Sequence, residues 1–299
     1  MADETTQQPP PEKKHRRRLL WWVLGVLALA LVINALLSET DLPGEDRIAL
    51  VRIEGVILDS KDTVADLKRF GDSSSVKAII LRIDSPGGGV VPSQEIHDAV
   101  FRVRSKHHKT VVVSMGTVAA SGGYYIAVAA DRIVANPGTL TGSIGVIMEL
   151  ANVEGLLQKV GVESVVVKSG RYKDIGSPFR KMSADDRRVL QALMDDVHSQ
   201  FIEAVAEGRS LDLEDVQPIA DGRILTGRQA LEVQLVDDLG DLDDAVRLAA
   251  DMVGIKGEPR LVEPKKRFSI KEIIDSRVQG LLPKLDFQPG VRLKYLMAF

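Results

Sequence analysis

Three loops of this 299-residue chain contain residue types that could do chemistry, and each follows an apolar run typical of a buried strand. The first loop, residues 84–89, reads DSPGGG. Three consecutive glycines let the backbone approach a ligand closely and turn amide N–H groups towards a phosphate or a developing oxyanion. The spacing matches neither the dinucleotide-binding nor the P-loop glycine pattern, which disfavours nucleotide binding and leaves a plain flexible loop as the alternative.

The second loop, residues 116–125, reads GTVAASGGYY and opens a predicted helix rich in alanine. Its Ser121 stands at a strand-to-helix turn among small residues, where a nucleophilic hydroxyl can lie near the positive end of the helix dipole. An ordinary helix N-cap is the alternative interpretation of the same serine.

A serine nucleophile also needs a base. His97, His107 and His108 fall in or at the end of a predicted helix with charged neighbours, where we expect surface residues, and His198 falls in another long helix. A Ser-His-Asp triad therefore has no obvious histidine on a loop.

The third loop, residues 168–179, reads KSGRYKDIGSPF and offers a lysine as the base instead. Burial in an apolar, partly dehydrated site lowers the pKa of a lysine and can keep its amine neutral, as a Ser-Lys dyad requires. Composition does not decide between Lys168 and Lys173, and most loop lysines are exposed.

The composition excludes several other kinds of site. The formal net charge is −3, from 39 Lys and Arg against 42 Asp and Glu, so no basic surplus supports nucleic-acid binding. The chain has no cysteine, which excludes disulfides, thiolate catalysis, cysteine-bound zinc and iron–sulfur clusters. We find no metal or cofactor motif and expect catalysis to need neither.

The elements that must position these loops alternate between strands and helices, which predicts an α/β domain with a largely parallel sheet. Ser93 and Ser183 are candidate helix N-caps. Strands are expected at Ile48–Leu58, Val76–Ile83, Thr110–Ser114, Arg132–Ala135, Ile144–Met148 and Ser164–Val167. Helices are expected at Thr63–Phe70, Ser93–Lys106, Tyr124–Ala130, Val153–Val160, Ala184–Glu207 and Leu242–Val253.

The N-terminal region predicts a membrane anchor. Residues 19–37 form an uncharged apolar run long enough to cross a bilayer, and the basic residues 13–18 before it keep the disordered tail, residues 1–18, in the cytoplasm. A cleaved signal peptide is the alternative, although its A-x-A site would lie inside the apolar run. A linker, residues 38–46, then leads to one compact domain, residues 47–255, and a tail, residues 256–299, with a short helix near Ile270–Leu282.

The ordered motifs DSPGGG, AASGGYY (119–125) and SGRYKDIGSP (169–178) resemble those of the signal peptide peptidase A family of membrane-bound Ser-Lys proteases. The similarity extends from about Arg47 to Val253 and includes TLTGSIG at 139–145 and DGRILTGRQA at 221–230. Each motif alone is moderately specific, whereas the ordered set is strongly so. With a single catalytic domain and an anchor, the chain resembles the short form of the family.

The resemblance implies a role for each site residue. Ser121 falls on the nucleophile, Lys173 on the general base and Ser143 on a serine that orients the lysine. The backbone amides of Gly88 and Gly122 fall on the oxyanion hole, with Gly87 as the alternative to Gly88. Lys168 then becomes a lysine at the end of a strand.

The resemblance also implies a ClpP/crotonase-like fold, a ββα superhelix, and a ring-shaped homo-oligomer, commonly an octamer, whose sites share walls between neighbours. It implies a serine endopeptidase that hydrolyses apolar peptides, such as signal peptides left in the membrane lipid. The anchor then predicts a bacterial inner (cytoplasmic) membrane protein with its catalytic domain on the periplasmic or extracytoplasmic side.

Three further hypotheses accompany this one. The apolar end of the tail, residues 295–299, could bind a neighbouring subunit's groove or be trimmed there, against a disordered or membrane-resting tail. A crotonase-like acyl-CoA enzyme would share the fold, but export separates it from cytoplasmic CoA. An inactive membrane scaffold would lose the dyad, and the joint presence of Ser121, Lys173 and Ser143 disfavours it.

Overall fold

The computed structural model describes residues 21–29, 46–264 and 294–297. Residues 21–29 are helical. They belong to the predicted span, residues 19–37, and the remainder of that span lies outside the described residues. Within the described ranges, no helix is both long and apolar enough to cross a membrane. The helix expected near Ile270–Leu282 also lies outside the description.

The main domain is built around an eight-stranded, mostly parallel sheet. The sheet strands are β1 Arg47–Glu54, β2 Val76–Ser85, β4 Thr110–Ala120, β5 Arg132–Ala135, β6 Leu140–Gly142, β7 Ile224–Thr226, β8 Asp238–Leu239 and β9 Arg260–Val262. The principal strands run in the order β7-β6-β4-β2-β1-β9, while β5 pairs with β4 and β8, and only β6 and β7 are antiparallel. The α/β class with a largely parallel sheet is therefore confirmed.

Helices cover both faces of the sheet, which is why the central strands read as almost continuously apolar. On one face, buried residues such as Leu67, Val100 and Phe201 pack in the larger core cluster, while Ala245 and Ala249 pack on the other face. The helices are α1 Lys61–Asp72, α2 Val90–His107, α3 Gly122–Ala127, α4 Glu154–Lys159, α5 Ala184–Arg209, α6 Leu213–Val216, α7 Gly227–Glu232 and α8 Leu242–Met252.

The two predicted helix caps have different outcomes. Ser183 caps α5 through a capping box, because its side chain accepts from the Asp186 amide and the Asp186 carboxylate accepts from the Ser183 amide. The prediction for Ser93 was wrong. The cap of α2 is Gly89, and Ser93 lies one turn inside the helix, where its hydroxyl donates to the Gly89 carbonyl at 2.9 Å.

Two of the predicted strands are not strands in the structure. Around Ile144–Met148 there is a single bridge, from Ile147 to Lys294. The stretch Ser164–Val167 has no strand, and its side chains are exposed. A β-branched run indicates a strand only where a second backbone is available to pair with it, and none of the described chain pairs with this one.

A separate two-stranded sheet joins two distant parts of the chain. The glycines of the first loop form β3, Gly87–Gly89, and near the C-terminus Lys294–Leu296 form β10. The two strands pair antiparallel, with Tyr295 opposite Gly88. This small sheet brings the end of the described chain to the glycine loop.

Candidate active site

Ser121 occupies the turn between the central strand β4 and helix α3, and its backbone has φ 52° and ψ −117°. A non-glycine residue in this region costs roughly 1–3 kcal/mol unless its surroundings fix it. Two backbone bonds do so here, from the Ser121 amide to the Gly142 carbonyl at 2.9 Å and from the Tyr125 amide to the Ser121 carbonyl at 2.8 Å. The strained turn thus has a fixed position at the end of a rigid strand.

The Ser121 hydroxyl is isolated. The residue is 1% exposed, and its Oγ has no hydrogen-bond partner among the described residues. A buried hydroxyl without a partner loses its hydrogen bonds to water and gains none in return, so each such group calls for a functional explanation. An isolated hydroxyl of this kind is what the predicted nucleophile would show without its base and substrate.

The predicted oxyanion glycines lie beside each other. A methyl group built on Gly122 would lie 3.2 Å from the Gly88 amide nitrogen, and one built on Gly87 would lie 2.8 Å from the Gly122 nitrogen. Gly88 packs closely against the backbone of Ile57, since a methyl group on Gly88 would lie 2.1 Å from the Ile57 carbonyl oxygen. Two backbone donors from separate loops therefore meet next to Ser121, and a side chain on either glycine would disturb them.

Ser143 directly follows the last residue of the neighbouring strand β6, just as Ser121 directly follows the last residue of β4. Ala120 pairs with Gly142, so the two serines follow directly opposed residues. Ser143 has φ 51°, is 8% exposed, and its amide donates to the Arg223 carbonyl at 2.8 Å. The parallel register thus brings Ser143 to the edge of the sheet where Ser121 lies.

Lys173 does not join this group within one chain. It is an exposed residue in a series of turns, and the Ser121 hydroxyl receives no bond from it. Lys168, the other candidate, is engaged elsewhere, since its ammonium donates to an Asp174 carboxylate oxygen at 2.6 Å and to the Arg171 carbonyl at 3.0 Å. Of the five predicted site residues, the structure therefore brings together Ser121, Ser143 and the two glycines, but not the lysine.

An ion cluster fixes the turns that hold Lys173. Arg180 donates to both oxygens of Asp174, at 2.9 and 3.0 Å, and to Asp186 of α5 at 2.5 Å. Arg180, assisted by Lys168, lowers the pKa of Asp174 well below its usual range. Arg180 and the Ser183 amide lower the pKa of Asp186 in the same direction. The cluster therefore stays charged at neutral pH and ties the turns to the start of α5.

The stretch before these turns exposes a row of valines, which we call the valine run. Apolar side chains seldom gather on the surface in this number without a partner to cover them. The exposed valines are Val160, Val162, Val165, Val166 and Val167, the last of them 96% exposed.

Sequence reasoning missed a cluster of three aromatic rings close to Ser121, formed by Tyr125, Phe201 and Tyr295. Tyr295 of β10 is fully buried, its ring stacks on Tyr125 with centroids 5.2 Å apart, and it meets Phe201 at 4.8 Å. The Tyr295 hydroxyl donates to the Val197 carbonyl at 3.1 Å. Burial raises the pKa of Tyr295, so its hydroxyl stays protonated and remains a donor. The only sequence signals were the paired tyrosines of the second loop and the apolar end of the chain.

One histidine is less exposed than its predicted surface role, and another lies in a cleft near the site. His97 is packed against the Tyr125 ring, with centroids 5.0 Å apart, and burial lowers its pKa. His198 lines a cleft next to Ser143 and Leu296, and its Nε2 has no partner among the described atoms. Within the described ranges, no three His, Asp or Glu side chains are grouped as a metal site would require.

Comparisons with known families agree with this arrangement. The model of peptidase family S49 matches residues 103–256, which contain Ser121, Ser143 and Lys173. The Clp protease model matches residues 50–138, which contain the glycine loop and Ser121.

Three curated proteins show how far the similarity extends. A putative protease of Synechocystis is 46% identical over 218 residues, which cover 73% of this chain and 77% of that protein. A putative signal peptide peptidase SppA of Enterococcus faecium is 37% identical over 67% of this chain and 62% of its own length. Protease 4 of Salmonella typhi is 35% identical over 79% of this chain and 41% of its own. The chain thus spans less than two thirds of the latter two relatives.

Proposed function

We propose that this chain, which belongs to peptidase family S49 and is a serine peptidase, hydrolyses peptide bonds with Ser121 as the nucleophile and Lys173 as the general base. The observation that carries the proposal is the isolated Ser121 hydroxyl, held in a strained turn beside the amides of Gly88 and Gly122. A hydroxyl and two converging N–H donors are the parts that acyl transfer to serine requires.

The reaction then follows from these positions. Ser121 Oγ attacks the substrate carbonyl carbon and gives its proton to Lys173, while the carbonyl oxygen becomes an oxyanion held by the two glycine amides. Each such donor is worth about 3 kcal/mol in the transition state. Lys173 passes the proton to the leaving amine, and a water molecule then hydrolyses the acyl-enzyme by the same steps. Ser143 positions the Lys173 amine for both transfers.

Lys173 reaches Ser121 from a second copy of the chain in this proposal. Three features support a shared site: among the described residues the Ser121 hydroxyl has no partner, Lys173 is exposed, and no described residue covers the valine run next to it. A cleft beside Ser143 leaves room for a side chain to approach. Burial between copies would also supply the dry surroundings that a neutral lysine needs. A ring-shaped homo-oligomer, such as an octamer, fits this arrangement.

The location and the substrate are proposed from the sequence. Residues 19–37 would anchor the chain in membrane lipid, with residues 1–18 in the cytoplasm and the catalytic domain on the outer side of the inner membrane. Apolar peptides released in the membrane, such as the signal peptides left after export, would then lie close to the site.

The experiment that tests the proposal compares two inactive variants alone and mixed. We expect Ser121→Ala and Lys173→Met of the full-length chain each to lose cleavage of an apolar fluorogenic peptide, and co-expression of the two to restore part of it. Full activity of Lys173→Met would refute the dyad, and a mixture that stays inactive would refute the shared site.

A further inference from the structure

We infer that two buried serines, Ser85 and Ser93, are positioning residues that hold the glycine loop so that the amide of Gly88 faces the developing oxyanion. The inference rests on the proposed function, since it requires Ser121 to attack a carbonyl beside this loop. It adds two residues that act on the rate from inside the protein, and it selects Gly88 over Gly87 as the first oxyanion donor.

The first support is the bond that Ser85 makes at the start of the loop. Ser85 is the last residue of β2 and is fully buried. Its hydroxyl accepts from the Gly87 amide at 3.1 Å. Gly87 has φ 104°, a conformation that glycine adopts much more readily than other residues. The Ser85 hydroxyl therefore holds the turn by which the chain enters β3, and it occupies the Gly87 amide.

The second support is the bond that Ser93 makes at the other end of the loop. Ser93 is fully buried one turn inside α2, and its hydroxyl donates to the Gly89 carbonyl at 2.9 Å. A serine that bonds to the carbonyl four residues earlier is common in helices and by itself indicates no function. Here the bond fixes the residue directly after Gly88, so the chain is held on both sides of that amide.

The third support is that both serines also contact the second loop. A methyl group built on Gly122 would lie 2.5 Å from the Ser93 hydroxyl oxygen and 3.2 Å from the Gly88 amide nitrogen. Ser93 thus lies directly against the glycine that carries the second oxyanion donor. Ser85 packs against the next residue, since a methyl group on Gly123 would lie 3.6 Å from the Ser85 Cβ. The two side chains therefore help to set the spacing between the two donors.

The amides on either side of Gly88 are both occupied. The Gly87 amide donates to Ser85, and the Gly89 amide donates to the Ile57 carbonyl at 2.8 Å. This leaves the Gly88 amide to bind the oxyanion. An oxyanion hole works because its donors already point at the place where charge develops, and no reorganisation is needed during the reaction. The two serines would maintain that orientation between turnovers.

The test compares serine variants of the full-length chain by steady-state cleavage of an apolar fluorogenic peptide. We expect Ser85→Ala and Ser93→Ala each to lower kcat about tenfold at unchanged KM, because an oxyanion donor acts mainly in the transition state. The loss should stay below the roughly 10²–10³-fold that removal of a whole donor causes. Ser114→Ala is the matched control, since Ser114 is also buried in the sheet but accepts from Arg82 at 2.8 Å, and its kcat should equal that of wild type.

Cysteine at the same two positions separates hydrogen bonding from packing. Ser85→Cys and Ser93→Cys keep a side chain of similar shape, but a thiol is a weak hydrogen-bonding group. The kcat should therefore fall while the thermal unfolding temperature stays close to that of wild type. Wild-type kcat in the cysteine variants, or a loss seen only in KM, would overturn the inference even where an alanine variant does not fold. If Ser121→Ala cleaves as fast as wild type, the proposed function fails; an inactive Ser121→Ala beside fully active cysteine variants removes only this inference.

Discussion

Ser121 lies at the end of a strand in the middle of the sheet, whereas Lys173 lies in a series of exposed turns. The backbone around Ser121 is held within one chain, by buried glycines, two backbone hydrogen bonds and a paired neighbouring strand. The turns that contain Lys173 are held by the ion cluster. The valine run before them is not covered by any described residue. Under the proposed function, one copy of the chain would supply the serine with its oxyanion donors, and assembly would supply the lysine.

The largest difference in activity is expected between substitutions at two glycines, one in β3 beside Ser121 and one in helix α4. Gly88→Ala should lower kcat/KM by about 10³, because its methyl group would meet the Ile57 backbone at 2.1 Å and displace an oxyanion donor. Gly155→Ala in α4 should keep full activity, since nothing lies within 4 Å of the added methyl group. Peptide-cleavage kinetics measure both, and an active Gly88→Ala enzyme would show that this strand is not part of the site.

The next effect concerns the valine run. Val167→Asp should leave the thermal unfolding temperature of the chain almost unchanged, because the side chain is 96% exposed, yet lower both assembly and activity by at least about tenfold. Leu213→Asp, at another exposed apolar position, is the control and should alter neither. Light scattering reports the assembly. A fully assembled and active Val167→Asp protein would mean that the valine run faces no second copy.

A smaller effect is expected at the ion cluster. Arg180→Ala removes the cation between Asp174 and Asp186, so the turns should move and activity should fall about fivefold through misplacement of Lys173. Arg188→Ala removes an exposed pair with Asp185 on α5 and should change activity little. Wild-type activity in both variants would show that the ion cluster does not determine the position of Lys173.

The smallest expected effect is a loss of protection of residues 149–182 at acidic pH. The folded-state pKa values of Asp174 and Asp186 are lowered, so their stabilisation is complete above the unfolded value of about 3.9 and is lost as pH falls below it. Pepsin should therefore cut residues 149–182 faster at pH 3 than at pH 4.5, relative to the sheet. In Arg180→Ala this difference should shrink. Equal protection of the segment at both pH values would show that the cluster does not hold it.

The sequence predicted those features that depend on neighbouring residues. Apolar runs indicated the central strands, and glycines and a serine at the ends of two strands indicated the site loops, because the carboxyl ends of parallel strands meet at one edge of a sheet. The pairing of Tyr295 with Gly88 joins residues far apart in the chain, and no local pattern encodes it. The valine run carried a strand signal, but the pattern could not say whether a partner strand exists.

The pairing of β10 with β3 also has a consequence for enzyme kinetics. A segment tethered to its own groove competes at an effective concentration in the millimolar range, whatever the amount of protein in the assay. Substrate must displace it, so a chain with its tail intact would show a raised KM at unchanged kcat, and dilution would not relieve the inhibition. Removal of residues 294–297 would therefore raise the rate at low substrate concentration and leave the rate at saturating substrate unchanged.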